Sequence, residues 1–139
     1  MTGVGIDAVE IRTGKLKLDL AETFAAEMGD APEKYTKGLG LYASSFPDTY
    51  EDIVTMGANA AHRLMERKGL GLDDIGRIDV ATESAFDHSK PVSTYIGGCL
   101  EQVFEGDFHH ANKGERKFAC VAGTQSIDDA FNWIQAGRN

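Results

Sequence analysis

Two residues have types and surroundings suited to chemistry. Cys120 stands where a short extended stretch gives way to an apolar helical pattern. A thiol at the start of a helix sees the positive end of the macrodipole, which favours the nucleophilic thiolate. Glu83 stands just past the run Ile78-Asp79-Val80-Ala81-Thr82, which reads as a strand beginning at Arg77. In α/β sheets ligand crevices form outside the carboxyl ends of strands. On residue type alone each position has a plainer reading. Cys120, flanked by Phe118, Ala119, Val121 and Ala122, also fits a buried structural cysteine, and Glu83 also fits a solvated loop acid. Cys99 follows Gly97-Gly98 inside a helical pattern and reads as core.

The elements that must position these residues follow from periodicity. Val4, Ile6 and Ala8 alternate and are followed by Val9 and Ile11, so residues 4–11 are expected to form a strand. A second extended piece covers 15–19. Asp19 is placed to cap a helix over 20–28 that ends at Gly29. Residues 30–40 read as a polar loop. Asp48 or Thr49 is placed to cap the longest helix, 50–68, whose apolar residues recur at three and four positions. Its Gly57, Ala58, Ala60 and Ala61 allow a close approach to a neighbouring sheet or helix. A short helical turn at 72–76 leads into the strand before Glu83. A second apolar helix is expected at 92–104, and short extended pieces at 108–111 and 117–119. A last helix reaches residue 136, with Ile127, Ala130, Phe131 and Ile134 on one face. The order of helices and strands suggests a layered α/β fold. A βαβ pattern expects a strand after Asn139, so the sequence reads as cut mid-fold.

Charge narrows the partners. Lys and Arg number 14 against 22 Asp and Glu, a net charge of −8. Nucleic-acid binders show a basic patch. The close basic groupings, such as Lys15/Lys17 and Arg63/Arg67/Lys68, have acidic residues around them. The acidic bias favours solubility, in the direction of halophilic proteins. Two cysteines, without a Cys-X-X-Cys unit, do not make a disulfide framework, and His109-His110 is too little for structural zinc. No apolar run approaches the roughly 18 residues of a membrane span. The Met1-Thr2-Gly3-Val4-Gly5 start lacks a basic n-region. A cytoplasmic protein is expected, with no nucleic-acid or membrane partner and no metal.

Four segments carry a resemblance. Asp52-Ile53-Val54-Thr55-Met56-Gly57-Ala58-Asn59-Ala60-Ala61 resembles the first long helix of the 3-hydroxy-3-methylglutaryl-CoA (HMG-CoA) synthases. Ile78-Asp79-Val80-Ala81-Thr82-Glu83-Ser84-Ala85 is similar to that family's Ala-Thr-Glu-Ser catalytic-acid motif. Phe118-Ala119-Cys120-Val121-Ala122-Gly123-Thr124 is similar to its nucleophile motif, with Val121 where the family usually has Tyr. Lys34-Tyr35-Thr36-Lys37-Gly38-Leu39-Gly40 resembles a further family segment. The motifs stand in family order and spacing. The resemblance covers 1–139 as part of the first of two thiolase-like halves, with the second half absent. The family's catalytic His lies downstream, and His62, His88, His109 and His110 do not match it.

The resemblance implies a thiolase-like α/β fold and an acyltransferase that condenses two acyl-CoA thioesters. Acetyl-CoA, acetoacetyl-CoA and water give HMG-CoA and CoA, a step of the mevalonate route to isoprenoids. Cys120 takes the acetyl group, and Glu83 then removes a methyl proton to make the enolate. Loss of Glu83 is thus expected to spare acetyl transfer. A carboxylate working on a weak carbon acid needs an apolar pocket, and Ala81, Ala85, Phe86 and Val121 are candidates to line it. Asp30 and Ala31, with Cys120, fall where the family contacts substrate; Asp30 also fits a simple turn residue after Gly29. No metal or redox cofactor is required. A full-length homodimer is implied, and activity of 139 residues alone is doubtful. Two other readings remain: a non-catalytic interaction module that keeps the fold, or another thiolase-fold condensing enzyme. Acyl-carrier-protein synthases typically place no acid at the Glu83 position.

Overall fold

A computed structural model describes residues 3–138, which group into two compact units. The first unit is Arg12–Asp52. Strand β1 (Leu16–Asp19) pairs antiparallel with β2 (Ala43–Phe46), Leu16 opposite Phe46 and Asp19 opposite Ala43. Between them the chain makes a wide π-type turn, Leu20–Phe24, that runs straight into the short helix α1 (Ala25–Met28). The Asp19 carboxylate caps this turn by accepting the Glu22 N–H at 2.7 Å. Gly29 ends it at φ 68°, a left-handed conformation that glycine adopts without a Cβ penalty.

The stretch expected as a plain loop, 30–40, holds a second π-type turn, Lys34–Leu39. Its cause is packing. Tyr35 is buried with Leu20 and Ala25, and its ring meets Phe24 edge-on at 5.7 Å. The ends of the unit are tied by Glu51, which pairs with Arg12 and accepts the N–H groups of Lys15 (2.8 Å) and Asp48 (3.0 Å). These N–H donors, Asp48 first, hold the Glu51 carboxyl below its ordinary range, with the Arg12 charge acting in the same direction.

The second unit comprises 3–11 and 53–138. Its helices are α2 (Ile53–Lys68), α3 (Val92–Val103) and α4 (Val121–Gln135). Its strands β3 (Arg77–Ala81) and β4 (Asn112–Arg116) pair in parallel, Arg77 opposite Asn112 and Ala81 opposite Arg116. Helix α3 packs on α2 and on both strands, and α4 lies against both strands. Val54, Met65, Val92, Ile96, Leu100 and Phe108 form the buried core.

Three expectations are corrected. Residues 4–11 form no strand. Ile6, Val9 and Ile11 are exposed, and no strand among the described residues pairs with the segment. Alternation specifies a strand only where a partner edge exists. Here the segment is held to the end of α2 by Lys68–Asp7 (2.8 Å) and Arg67–Glu10 (3.2 Å). Helix α2 starts at Ile53, three residues later than expected, and the Asp48 carboxylate accepts the Thr49 N–H (2.7 Å) in the turn before it. The strand near 108–119 is Asn112–Arg116, between the two pieces expected. Its polar residues are partnered: Lys113 pairs with Glu101 (3.5 Å), and Glu115 accepts the Val92 N–H at 2.6 Å, at the start of α3. A carboxylate there meets the positive end of the helix dipole.

The small-residue face of α2 does make a close approach. A Cβ on Gly57 would lie 2.6 Å from Ile96 Cδ1 of α3. Gly57→Ala is therefore expected to cost about 1 kcal/mol, the overpacking term exceeding the gain in helix propensity. Ile96→Val removes the clashing methyl, so the double variant should be more stable than the sum of the single effects. Denaturant midpoints of the four proteins check this, and strict additivity would contradict it.

Candidate active site

The site is built by two adjacent parallel strands that end side by side. After β3, the Thr82 N–H continues the ladder to the Arg116 carbonyl (3.1 Å), and the Thr82 hydroxyl accepts the Ser84 N–H (3.0 Å). Glu83 is held between these two contacts. After β4 the chain passes through Lys117, Phe118 and Ala119 to Cys120, and α4 starts at Val121. Ala119 has φ 44°, in the left-handed region that residues with a Cβ rarely enter. Cys120 occupies the N-cap position and is exposed. The Ala122 N–H closes the first turn on the carbonyls of Phe118 (3.2 Å) and Ala119 (3.3 Å).

The two strand ends meet through one contact: Glu83 Oε1 accepts the Ala119 N–H at 2.6 Å. The carboxylate therefore lies against the residue next to Cys120. Three supporting contacts were not foreseen from sequence. Arg116 pairs with Asp129 of α4, fixing that helix to the end of β4. Asp87 accepts the N–H groups of Ser89 (2.8 Å) and Lys90 (3.1 Å) and the Tyr95 hydroxyl (2.8 Å). These donors, Ser89 first, hold the Asp87 carboxyl below its ordinary range and tie the loop after Glu83 to α3. Phe86 packs on Tyr95 with ring centroids 5.1 Å apart. Only the Asp-then-Ser spacing of Asp87 and Ser89, a common turn signal, was available to find them.

Of the four residues expected to line an apolar enclosure, Ala85 packs against the core, and the other three are open in this portion of the fold. Ala81 is exposed, and Phe86 and Val121 are 58% and 47% exposed. Asp30 and Ala31 lie in the other unit. Asp30 accepts Lys34 Nζ (2.7 Å) and the Tyr35 hydroxyl (2.6 Å), and these two, Lys34 first, hold its carboxyl below the usual range. The same contact pushes the Tyr35 phenol up. Ala31 is exposed, and its carbonyl accepts the Lys34 N–H at 3.0 Å. Among the described residues no three His, Cys, Asp or Glu side chains are grouped to hold a metal ion, and no helix is long and apolar enough to cross a membrane.

Residues 1–138 match the family described as hydroxymethylglutaryl-coenzyme A synthase, N terminal. The chain belongs to that family. Hydroxymethylglutaryl-CoA synthase of Haloferax volcanii is 79% identical over 139 residues, all of this chain and 31% of that protein. The cytoplasmic hydroxymethylglutaryl-CoA synthase of Homo sapiens is 38% identical over 134 residues, 96% of this chain and 25% of that one. The chain thus spans a third or less of these synthases. Among solved structures, MvaS in complex with 3-hydroxy-3-methylglutaryl coenzyme A aligns with a TM-score of 0.84 at 31% identity, covering 96% of this chain and 30% of that one. The fold is the thiolase-like α/β fold of the HMG-CoA synthases, here its N-terminal portion.

The two cysteines of this family member differ in access. Cys99 is half-buried in α3, beside a hollow lined by Thr55, Asn59 and His62, whereas Cys120 is exposed. Brief iodoacetamide treatment followed by peptide mass spectrometry is expected to label Cys120 at least several-fold faster, because access is one determinant of thiol reactivity. Equal or reversed labelling would place Cys120 among structural cysteines.

Proposed function

We propose that this chain supplies the nucleophile and the base of an HMG-CoA synthase, with Cys120 and Glu83 in those roles. The observation that carries the reading is the Glu83–Ala119 hydrogen bond of 2.6 Å, which sets a carboxylate beside the residue that bears the thiol. The Cys120 thiolate attacks the carbonyl carbon of acetyl-CoA. The bond to the CoA sulfur breaks, and CoA leaves as its thiolate, which takes up from solvent the proton that Cys120 had released. Glu83 takes a proton from the methyl group of the acetyl thioester. The resulting enolate carbon attacks the ketone carbon of acetoacetyl-CoA, the alkoxide takes up a proton from solvent, and Glu83 returns its own proton to solvent. Water cleaves the thioester, which frees the Cys120 thiol and releases HMG-CoA. The balance is acetyl-CoA, acetoacetyl-CoA and water in, HMG-CoA and CoA out, and every step is written without a metal or redox group.

Asp30 and Ala31 belong to the substrate-contacting part of this reading. The MvaS structure is a complex with 3-hydroxy-3-methylglutaryl coenzyme A, which supports acyl-CoA thioesters as partners of this chain. The human relative's name supports a cytoplasmic location. A homodimer at the relatives' length and a place in the mevalonate pathway complete the proposal. The test is direct. With the chain carried in a polypeptide of the relatives' length, acetyl-CoA alone should leave an acetyl group on the Cys120 peptide. Adding acetoacetyl-CoA should discharge it as HMG-CoA. A folded protein that takes no acetyl group is a non-catalytic module. Discharge only by an acyl carrier protein would indicate a different condensing enzyme.

A further inference from the structure

We propose that Glu83 is also the positioning residue for Cys120: one carboxylate oxygen holds the strained turn that presents the thiol, and the other is left for proton transfer. This deepens the condensation reading and depends on it only for the proton-transfer half.

The turn needs holding. Ala119 sits at φ 44°, where its Cβ crowds the backbone and where glycine is the usual occupant. Among the described residues little packs on it: Phe118 is 67% exposed and Cys120 is exposed too. Within the turn, the Ala122 N–H is shared between two carbonyls at 3.2 and 3.3 Å. The short tie from outside is Glu83 Oε1, which reaches the Ala119 N–H at 2.6 Å from the neighbouring strand. A hydrogen bond to a charged acceptor is among the stronger ones. Glu83 is itself steadied, because the Thr82 N–H and hydroxyl on one side and the Ser84 N–H on the other are all engaged. The tie also survives the chemistry. Once Oε2 has accepted the methyl proton, Oε1 is a carbonyl oxygen and still accepts the Ala119 N–H. The turn therefore stays in place while the carboxyl group changes protonation.

Glu83→Gln and Glu83→Ala separate the two roles. Both remove the charge and the base, and only Gln retains an acceptor oxygen at the right reach. The first readout is hydrogen exchange of the Ala119 amide, in the chain carried at the relatives' length. It should stay slow in Glu83→Gln and quicken by roughly tenfold in Glu83→Ala, the size expected from one lost hydrogen bond. The second is the rate of acetyl transfer to Cys120 from saturating acetyl-CoA. Glu83→Gln should exceed Glu83→Ala by roughly tenfold. Ala119→Gly placed in Glu83→Ala should recover most of that difference, because glycine adopts the turn without the tie. Cys99 labelling reports an intact fold in each protein. If Glu83→Ala does not fold, Glu83→Asp is read in its place, since it retains a carboxylate but loses reach. Equality of Glu83→Gln with the tie-less variant in either readout overturns the proposal. If the parent protein takes no acetyl group, the condensation reading fails, and the Ala119 amide still decides the tie.

Discussion

In a polypeptide of the relatives' length, replacement of Cys120 by alanine is expected to abolish the proposed acetyl-enzyme and to lower HMG-CoA formation by at least about a thousandfold, the scale on which loss of a covalent nucleophile acts. The fold should not suffer. Cys120 is exposed, it makes no side-chain capping bond to α4, and exposed substitutions usually stay within about 0.5 kcal/mol. The turn before it is held through the backbone of Ala119, which the substitution leaves alone. Loss of activity with an unchanged denaturation midpoint would therefore report chemistry. Cys99→Ala is the control, half-buried in α3 and distant in sequence from the turn. Acetylation that persists in Cys120→Ala and disappears in Cys99→Ala would move the nucleophile to α3.

The positions of Glu83 and Cys120 at a strand end and a helix start were legible because both signals are local. The alternating β-branched residues Ile78 and Val80 and the apolar spacing after Cys120 each sit within one element. What the sequence could not show was their meeting, which depends on β3 and β4 being parallel neighbours. That pairing was hidden by β4 itself, Asn112-Lys113-Gly114-Glu115-Arg116, whose polar residues look like a loop. Their charges are taken up by Glu101 and by the Val92 N–H at the start of α3. Gly114 leaves room beside this strand for the Asp79 carboxylate, which a Cβ there would have to displace, at 2.5 Å from Oδ1.

The opposite case is 4–11, where a strong alternating pattern has no partner strand among the described residues. Strand formation is a property of pairs, and one sequence segment reports only half of the pair. The apolar face foreseen on α4 shows the same limit. Ile127, Phe131 and Ile134 fall on helical spacing, yet they are 56%, 38% and 51% exposed. Spacing identifies a face and does not say what covers it. Positive φ at Ala119 had no sequence signal at all, because alanine is not the residue that such a turn ordinarily selects.

With the chain carried at the relatives' length, Glu83→Gln is expected to stall the proposed condensation after its first half. The amide retains an oxygen for the Ala119 N–H, so Cys120 should still be presented and still take an acetyl group. An amide cannot remove a methyl proton, and loss of a general base lowers rate by roughly 10²–10⁴-fold. Rapid mixing of acetyl-CoA and acetoacetyl-CoA should then show a burst of CoA equal to the protein present, followed by almost no turnover. The acetylated Cys120 peptide should accumulate. From the sequence, Glu83→Ala was expected to do the same. The hydrogen bond to Ala119 changes that expectation, because alanine removes the tie together with the base and so weakens the burst as well. Glutamine is therefore the variant that isolates proton abstraction. Normal steady-state turnover by Glu83→Gln would remove Glu83 from carbon–carbon bond formation. A missing burst in Glu83→Gln, with Cys120 still alkylated normally, would instead place the carboxylate in the acetyl-transfer step.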